Sequence, residues 1–212
     1  MAAAALLALA ACGGAEMASE RPEAPPAGSA AEVSPPPAAP SRPEVREGTI
    51  TLEGMTEPMT YRLYRSPAGF ALPFSTYLPA DMQAEGASRG EDEAVRFVTA
   101  FGGARNERAF VQLTVHPAGT TLAEARERFA AASGASAEVP AGERAYPWAL
   151  EERAGQSAGT IRHGALGEHA GRYFLLLAEY PAEMGDGMGP RIAEIVREWR
   201  WTAGDRPLGF GE

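Results

Sequence analysis

The aromatic residues of this 212-residue chain all lie in one part of it. There are 3 Trp, 6 Tyr and 8 Phe, and the first of them along the chain is Tyr61. A segment without large apolar side chains buries too little surface to offset the conformational entropy that is lost on folding. The sequence therefore predicts one folded domain over residues 48–204, followed by a C-terminal tail over residues 205–212.

The first residues have the pattern of an export signal. Residues 2–11 form an apolar run that is too short to span a bilayer but has the length found in signal peptides. The run ends in Leu9-Ala10-Ala11-Cys12, followed by Gly13, and this resembles the lipobox of bacterial lipoproteins. The resemblance implies a signal peptide over residues 1–11 that is removed before Cys12.

In proteins with a lipobox, the cysteine thiol receives a diacylglycerol and the new amino terminus receives an acyl chain such as palmitate. Several chains on one residue make a stable anchor, whereas a single chain is marginal. The resemblance thus implies lipidation at Cys12 and a place in the bacterial cell envelope. Because Gly13 rather than Asp follows the cysteine, the usual sorting rule of enteric-type bacteria permits export to the periplasmic face of the outer membrane if the source is Gram-negative.

One feature departs from this pattern, since signal peptides normally begin with positive charge and no Lys or Arg precedes Arg21. The alternative interpretation is an Ala-rich tail with a chance cysteine. Against it, Cys12 is the only cysteine of the chain and lies where the apolar run ends. A single cysteine also excludes an intramolecular disulfide and a zinc site built from several thiolates.

Proline is frequent between the cysteine and the predicted domain. Eight of the 18 prolines lie between Arg21 and Pro43, and the rest of residues 12–47 is mostly Ala, Glu and Ser. Such a composition predicts a disordered linker in an extended polyproline II conformation, which reaches about 100 Å at about 3.1 Å per residue. A proline-rich ligand for a recognition domain is the alternative function for this segment.

The charge of the chain argues against nucleic acid as its main partner. The net charge is −9 at pH 7, and the 19 basic residues, all Arg, are scattered rather than clustered. Binding to phosphate groups requires a basic surface. No apolar run reaches the 18 or more residues that a transmembrane helix needs.

Alternation of apolar and polar residues predicts most of the domain to be strands. The last predicted strand, residues 173–180, is apolar on both faces, which indicates a central strand that is covered on both sides. Residues 83–93, rich in Gly and acidic residues, are predicted to form a polar loop. The predicted strands are residues 49–53, 61–65, 70–78, 94–101, 109–116, 146–153, 159–166 and 173–180.

Two segments have helical spacing instead. Thr121 and Glu124 form a capping box, and apolar residues at helical spacing predict a helix over residues 122–133 that ends at Gly134. A second helix is predicted to begin at Pro190, a favourable first helical position, and to end at Gly204.

This order of elements predicts an α+β fold, a mostly antiparallel sheet with two packed helices. Four segments have a recognisable pattern: residues 70–79 with Met82, Val115-His116-Pro117 before the first helix, Gly171-Arg172-Tyr173-Phe174, and Trp199 in the last helix. In these segments and in the order of its elements, the chain resembles the Mog1/PsbP-like family, which includes many bacterial lipoproteins, and the resemblance implies an α/β/α sandwich. Members of that family are mostly non-enzymatic accessory, scaffold or assembly proteins, so the resemblance implies neither a catalytic residue nor a cofactor.

Two glycine-rich motifs carry weaker signals. Residues 155–159 spell G-x-S-x-G around Ser157, but the hydrolase motif requires the serine at a strand-to-helix turn, and here it lies between two predicted strands. Residues 185–191 follow a predicted strand and open the second predicted helix, but Pro190 stands where the dinucleotide fingerprint requires glycine. We interpret the first as a hairpin turn and the second as a flexible helix-entry loop.

The three histidines do not have the spacing of a metal site. His163 and His169 flank a predicted turn, where a hairpin would bring them together, but there is no cysteine within reach and no i,i+4 helical pair. We therefore predict no metal site and expect these two and His116 at the surface or in turns. The acidic run of residues 91–93 is expected to be a solvated loop. Among Trp148, Trp199 and Trp201, we expect Trp199 in the core and Trp201 partly exposed, as a candidate contact surface.

The sequence therefore predicts a membrane-anchored envelope lipoprotein whose domain is a non-catalytic binding, scaffold or assembly module. Its expected partners are the membrane, through the lipid anchor, and an unknown envelope protein or apolar ligand. The alternative is a carrier of an apolar ligand or lipid in a cavity between sheet and helices. A serine hydrolase acting through Ser157 is a remote third hypothesis.

Overall fold

The computed structural model describes residues 42–208, so Cys12, the predicted signal peptide and most of the predicted linker lie outside the described residues. Two α-helices and twelve mostly antiparallel strands fill the described range, which confirms the predicted α+β class. The helices are Leu122–Ser133 (α1) and Gly185–Arg197 (α2). The strands are Val45–Leu52 (β1), Met55–Arg65 (β2), Phe74–Pro79 (β3), Met82–Gly86 (β4), Glu93–Thr99 (β5), Asn106–Val115 (β6), Ala137–Glu138 (β7), Glu151–Ser157 (β8), Thr160–His169 (β9), Arg172–Pro181 (β10), Arg200–Trp201 (β11) and Arg206–Pro207 (β12).

The larger sheet has seven antiparallel strands in the order β4-β5-β6-β10-β9-β8-β7. In its middle, Leu176 of β10 lies opposite Leu113 of β6 and Ala165 of β9. Both faces of β10 are buried, because Phe174 and Leu176 belong to the main core, whereas alternate residues such as Leu175 face α1. The predicted central strand is therefore confirmed.

Helix α1 covers one face of this sheet and has the predicted bounds. The Thr121 hydroxyl accepts a hydrogen bond from the Glu124 amide, and the Glu124 carboxylate accepts one from the Thr121 amide, so the capping box is complete. Ala125 and Phe129 are fully buried and pack against Leu175 and its neighbours on the sheet. The local cap determines where α1 begins, and its apolar stripe determines which face packs on the sheet.

The main core lies on the opposite face, where it is closed by α2 and a second sheet of order β1-β2-β3-β11-β12. Phe74 of β3 stacks on Trp199, with ring centroids 3.9 Å apart. Trp201 meets Phe74 edge-on, and Met188 and Ile195 of α2 are fully buried in the same cluster. Stacked and edge-on rings of this kind stabilise a core beyond the area they bury.

The predicted limits of the second helix are wrong. Helix α2 begins at Gly185, five residues before Pro190, and ends at Arg197 rather than Gly204. Burial of Met188 outweighs the poor helix propensity of the glycines around it. The predicted helix-entry loop over residues 185–191 is accordingly part of α2.

Trp201 is 1% exposed, so its prediction as a partly exposed contact residue is also wrong. Since α2 ends early, the chain turns into β11, and pairing with β3 directs Trp201 into the core. Strands occur elsewhere than predicted as well: β1 begins at Val45, β4 lies within the predicted polar loop, and β12 with buried Leu208 follows residue 204. These pairings are made between distant parts of the chain, which local patterns do not report.

Candidate functional site

A cleft of about 590 Å³ opens between α2 and the chain segment that precedes β8. We call it the aromatic cleft. It lies at the edge of the main core, on the face of the large sheet that α2 covers. Apolar surface predominates in its lining, which includes Tyr146, Trp148, Tyr180, Ile192, Val196 and Leu208.

One wall of the aromatic cleft is a stack of rings. The rings of Trp148 and Tyr146 lie 5.3 Å apart and 25° from parallel, and those of Tyr146 and His163 lie 5.1 Å apart and 11° from parallel. Trp148 also rests on Phe174 of the main core, at 5.5 Å. The stack therefore joins the loop at residues 145–148 to the sheet and contributes aromatic surface to the lining of the cleft.

A buried carboxylate holds this wall in place. Glu152 of β8 is 2% exposed and accepts hydrogen bonds from the amides of Ala145, at 3.1 Å, and Tyr146, at 3.0 Å. Nε2 of His163 lies 2.7 Å from the same carboxylate. A buried charge is tolerated when it is hydrogen-bonded in this way, and Glu152 thereby positions both the loop and the imidazole.

The position of Glu152 beside His163 follows from a short hairpin. The β8–β9 turn consists of Ala158 and Gly159, both with positive φ, as in the two-residue turns that match the twist of paired strands. This turn sets a register in which Ala154 lies opposite His163. Glu152, two residues from Ala154, is then the diagonal neighbour of His163 on the same face.

The hydroxyl of Tyr146 remains protonated over a wide pH range. Burial, with smaller effects of the nearby Glu152 and Tyr180, raises the pKa of Tyr146 to about 12. Burial also raises the pKa of Tyr180. Both phenols therefore present neutral hydroxyl groups at the aromatic cleft rather than negative charge.

The expectation that the histidines lie at the surface or in turns is wrong for His116. This side chain is 3% exposed, and its Nδ1 lies 3.0 Å from Oδ1 of Asp92, which also accepts a hydrogen bond from Arg128. Asp92 is therefore not the solvated loop residue that was predicted, and Glu93 accepts a hydrogen bond from the amide of Ala71. His116 and Asp92 line a second, mainly polar cleft of about 660 Å³.

His163 and His169 do not flank a turn. Both lie on β9, six residues apart, and a strand of that length spans about 20 Å. His169 stacks on Trp201 at 4.5 Å, whereas His163 belongs to the aromatic cleft. Within residues 42–208, no group of three or more His, Cys, Asp or Glu side chains is arranged to hold a metal ion.

Ser157 lies in the β8–β9 hairpin, as the interpretation of its motif as a turn predicted. It lines a pocket of about 220 Å³ whose described lining contains no histidine. The serine thus lacks the helix N-terminus and the base that a hydrolase requires. At residues 185–191, Arg191 is bound to Asp81 and to the carbonyl of Gly187, so this segment is held by its own contacts.

Trp148 and His163 were candidates from the sequence but were not predicted to lie together, and Tyr146, Glu152 and Tyr180 were not among the candidates. The Tyr146-Pro147-Trp148 triplet and the two-residue hairpin are the local signals that point to this site. Within the part of the chain that the structure describes, no helix is long and apolar enough to cross a membrane.

Comparisons with known proteins extend only to the fold. No protein-family profile and no curated protein matches this chain. Among solved structures, the solution structure of PsbP (CyanoP) from Synechocystis sp. PCC 6803 is similar, with a TM-score of 0.36 and 9% identity over 66% of this chain and 92% of that chain. A PsbP protein is thus a structural neighbour, while the α+β class rests on the strands and helices described above.

Proposed function

We propose that this chain is a non-catalytic binding module of the bacterial cell envelope, which holds an apolar small molecule in the aromatic cleft while a lipid on Cys12 tethers it to the membrane. The observation that carries the proposal is the aromatic cleft itself. Its volume of about 590 Å³ lies in the range of small-molecule sites, and apolar linings with a few polar groups are typical of them.

The chemistry of the lining supports binding rather than covalent catalysis. Among the described residues that line the aromatic cleft there is no Ser, Thr, Cys, Asp or Glu. His163 is therefore not accompanied there by a Ser or Thr hydroxyl or a Cys thiol that it would activate as a nucleophile. Tyr146, Trp148 and Tyr180 instead provide apolar ring surface with neutral phenol groups.

The tether rests on the sequence ending in Cys12 and on the proline-rich linker. The described chain begins beside α2, where Arg42 donates a hydrogen bond to the carbonyl of Glu198 at 2.9 Å and its guanidinium lies over the ring of Tyr77. Arg46 forms ion pairs with Glu194 and Glu198. These contacts secure the chain to the domain at the point from which the proposed tether extends.

Gly189 allows the aromatic cleft to be filled without changing any polar group. It lines the cleft within α2, and a Cβ atom placed on it has no neighbour within 4 Å. We expect Gly189→Leu to occupy the cleft and to weaken binding of the apolar dye N-phenyl-1-naphthylamine by at least about tenfold, an energy of about 1.4 kcal/mol. The dye is titrated by fluorescence into the full chain carrying Cys12→Ala, so that acyl chains do not compete for it.

Gly189→Ala is the matched control. It adds only a methyl group, should leave dye affinity nearly unchanged, and should stabilise α2 by roughly 0.5–1 kcal/mol because alanine favours the helix. Circular dichroism verifies that both variants fold. The proposal is wrong if the parent chain binds no dye, or if the Leu and Ala variants bind it equally well.

A further inference from the structure

We propose that the ligand of the aromatic cleft is an apolar molecule that carries a neutral hydroxyl group, and that Nδ1 of His163 accepts the hydrogen bond of that hydroxyl. This inference rests on the proposed function and names the ligand class of the same site.

The surroundings of Glu152 determine which nitrogen of His163 carries hydrogen. Both carboxylate oxygens of Glu152 already accept backbone N–H groups, Oε1 from Ala145 and Oε2 from Tyr146. The carboxylate is thus an acceptor, and Nε2 of His163, 2.7 Å from Oε1, is the donor. In a neutral imidazole with hydrogen on Nε2, the other nitrogen, Nδ1, is a hydrogen-bond acceptor.

Nδ1 of His163 is available to a ligand. It makes no hydrogen bond with any of residues 42–208, and the side chain of His163, which lines the cleft, is 23% exposed. The ring cannot turn freely, because one edge is bound to Glu152 and one face is stacked on Tyr146. The aromatic cleft therefore contains an acceptor of fixed direction.

The lining of the aromatic cleft favours an apolar molecule. Trp148, Tyr146 and His163 stack on one another along one wall, so their ring faces are directed largely at each other. On α2, Gly189 contributes no side chain and leaves space beside Ile192. An apolar molecule in this space buries apolar surface of its own and of the cleft lining.

The charges around the aromatic cleft favour a neutral ligand. Arg197 is the one permanently charged side chain among its described lining residues, and it forms ion pairs with Glu194 and Glu198. A ligand carboxylate would therefore lose its hydration without gaining an unpaired cation, which is costly. A hydroxyl group loses less hydration free energy than a carboxylate, and one hydrogen bond to His163 compensates for that loss.

The test compares 2-naphthol with 2-methylnaphthalene, two molecules of the same shape that differ in one hydroxyl group. Each displaces the fluorescent dye from the chain carrying Cys12→Ala. The measured quantity is the ratio of the two dissociation constants. We expect His163→Phe to shift this ratio about tenfold toward 2-methylnaphthalene, because the hydroxyl group of 2-naphthol loses its hydrogen-bond acceptor.

A measurement on unsubstituted His163 supplements the variant. We expect the ¹⁵N NMR resonance of its unprotonated Nδ1 to move when 2-naphthol is added and to remain in place with 2-methylnaphthalene. If neither compound binds, the proposed function fails. If both bind but the ratio is the same in His163→Phe and the Nδ1 resonance does not move, the aromatic cleft stands as a binding site and the role of His163 is wrong.

Discussion

Two glycines of β9 allow aromatic rings to pack directly on the large sheet, one on each face. A Cβ atom on Gly164 would lie 2.8 Å from Phe129 of α1, and one on Gly167 would lie 2.8 Å from Cε1 of Phe174. Real side chains do not approach so closely, so any larger residue would displace a ring of one core or the other. The same strand carries His163, and its position therefore depends on both cores.

The burial of Tyr146 in the aromatic cleft should make the stability of the domain depend on pH. Its pKa is raised from 10.0 to about 12 in the folded chain, so the neutral phenol is favoured by folding. The resulting stabilisation is complete below about pH 10, the pKa of the unfolded chain, and is lost as the pH rises through about 12. We expect the free energy of unfolding to fall more steeply in this range for the parent chain than for Tyr146→Phe.

Urea unfolding at several pH values measures this difference. Tyr61, Tyr64 and Tyr180 also have raised pKa values, so part of the alkaline loss remains in the variant. If the free energy of unfolding falls with pH equally steeply for the parent chain and for Tyr146→Phe, the proposed effect of burial on the pKa of Tyr146 is wrong.

Among the elements, the two helices illustrate different origins of helical structure. Helix α1 has the predicted bounds because its cap, its spacing and Gly134 act within one short segment. Helix α2 contains Pro190 and three glycines in its first turns, and it forms because Met188, Ile192 and Ile195 are buried on the main core. Local preference therefore locates the first helix, and packing locates the second.

We expect Thr121→Ala to lower the free energy of unfolding by about 1 kcal/mol, because the Glu124 amide loses its acceptor at the start of α1. Thr121→Ser keeps the hydroxyl and should change the stability much less. The two variants are compared by the urea concentration at the midpoint of unfolding, given equal slopes of unfolding free energy against urea concentration. Equal midpoints would mean that the capping box contributes nothing to the stability of the domain.

For the whole molecule, the proposed tether and the binding domain are separate parts with separate tests. Cys12→Ala should shift most of the protein from the membrane fraction to the soluble fraction of the cell, because one residue carries all the proposed acyl chains. Ala11→Gly keeps a small residue before the cysteine and should remain in the membrane fraction. Fractionation followed by immunoblotting measures both, and membrane association of Cys12→Ala at the level of the parent chain would refute the anchor.

The aromatic cleft shows why part of a site is predictable and part is not. The sequence predicted a turn over residues 155–159, and the structure has a two-residue turn at residues 158–159, whose length determines that Glu152 and His163 are diagonal neighbours. No local pattern indicates that the segment with Tyr146 and Trp148 folds back onto Glu152. In that contact, backbone amides exchange hydrogen bonds with water for buried hydrogen bonds to the Glu152 carboxylate, and this exchange has no signature in the sequence. Nor does the sequence indicate that α2 lies beside it.

By itself, the sequence determined the α+β class, the bounds of α1, the central strand β10 and the hairpin turn around Ser157, because each depends on periodicity or on turn chemistry within a few residues. Only the tertiary structure decided the start of α2, the burial of His116 and Trp201, and the assembly of the aromatic cleft. These features depend on contacts between residues far apart in the chain, where burial of apolar surface outweighs local preference.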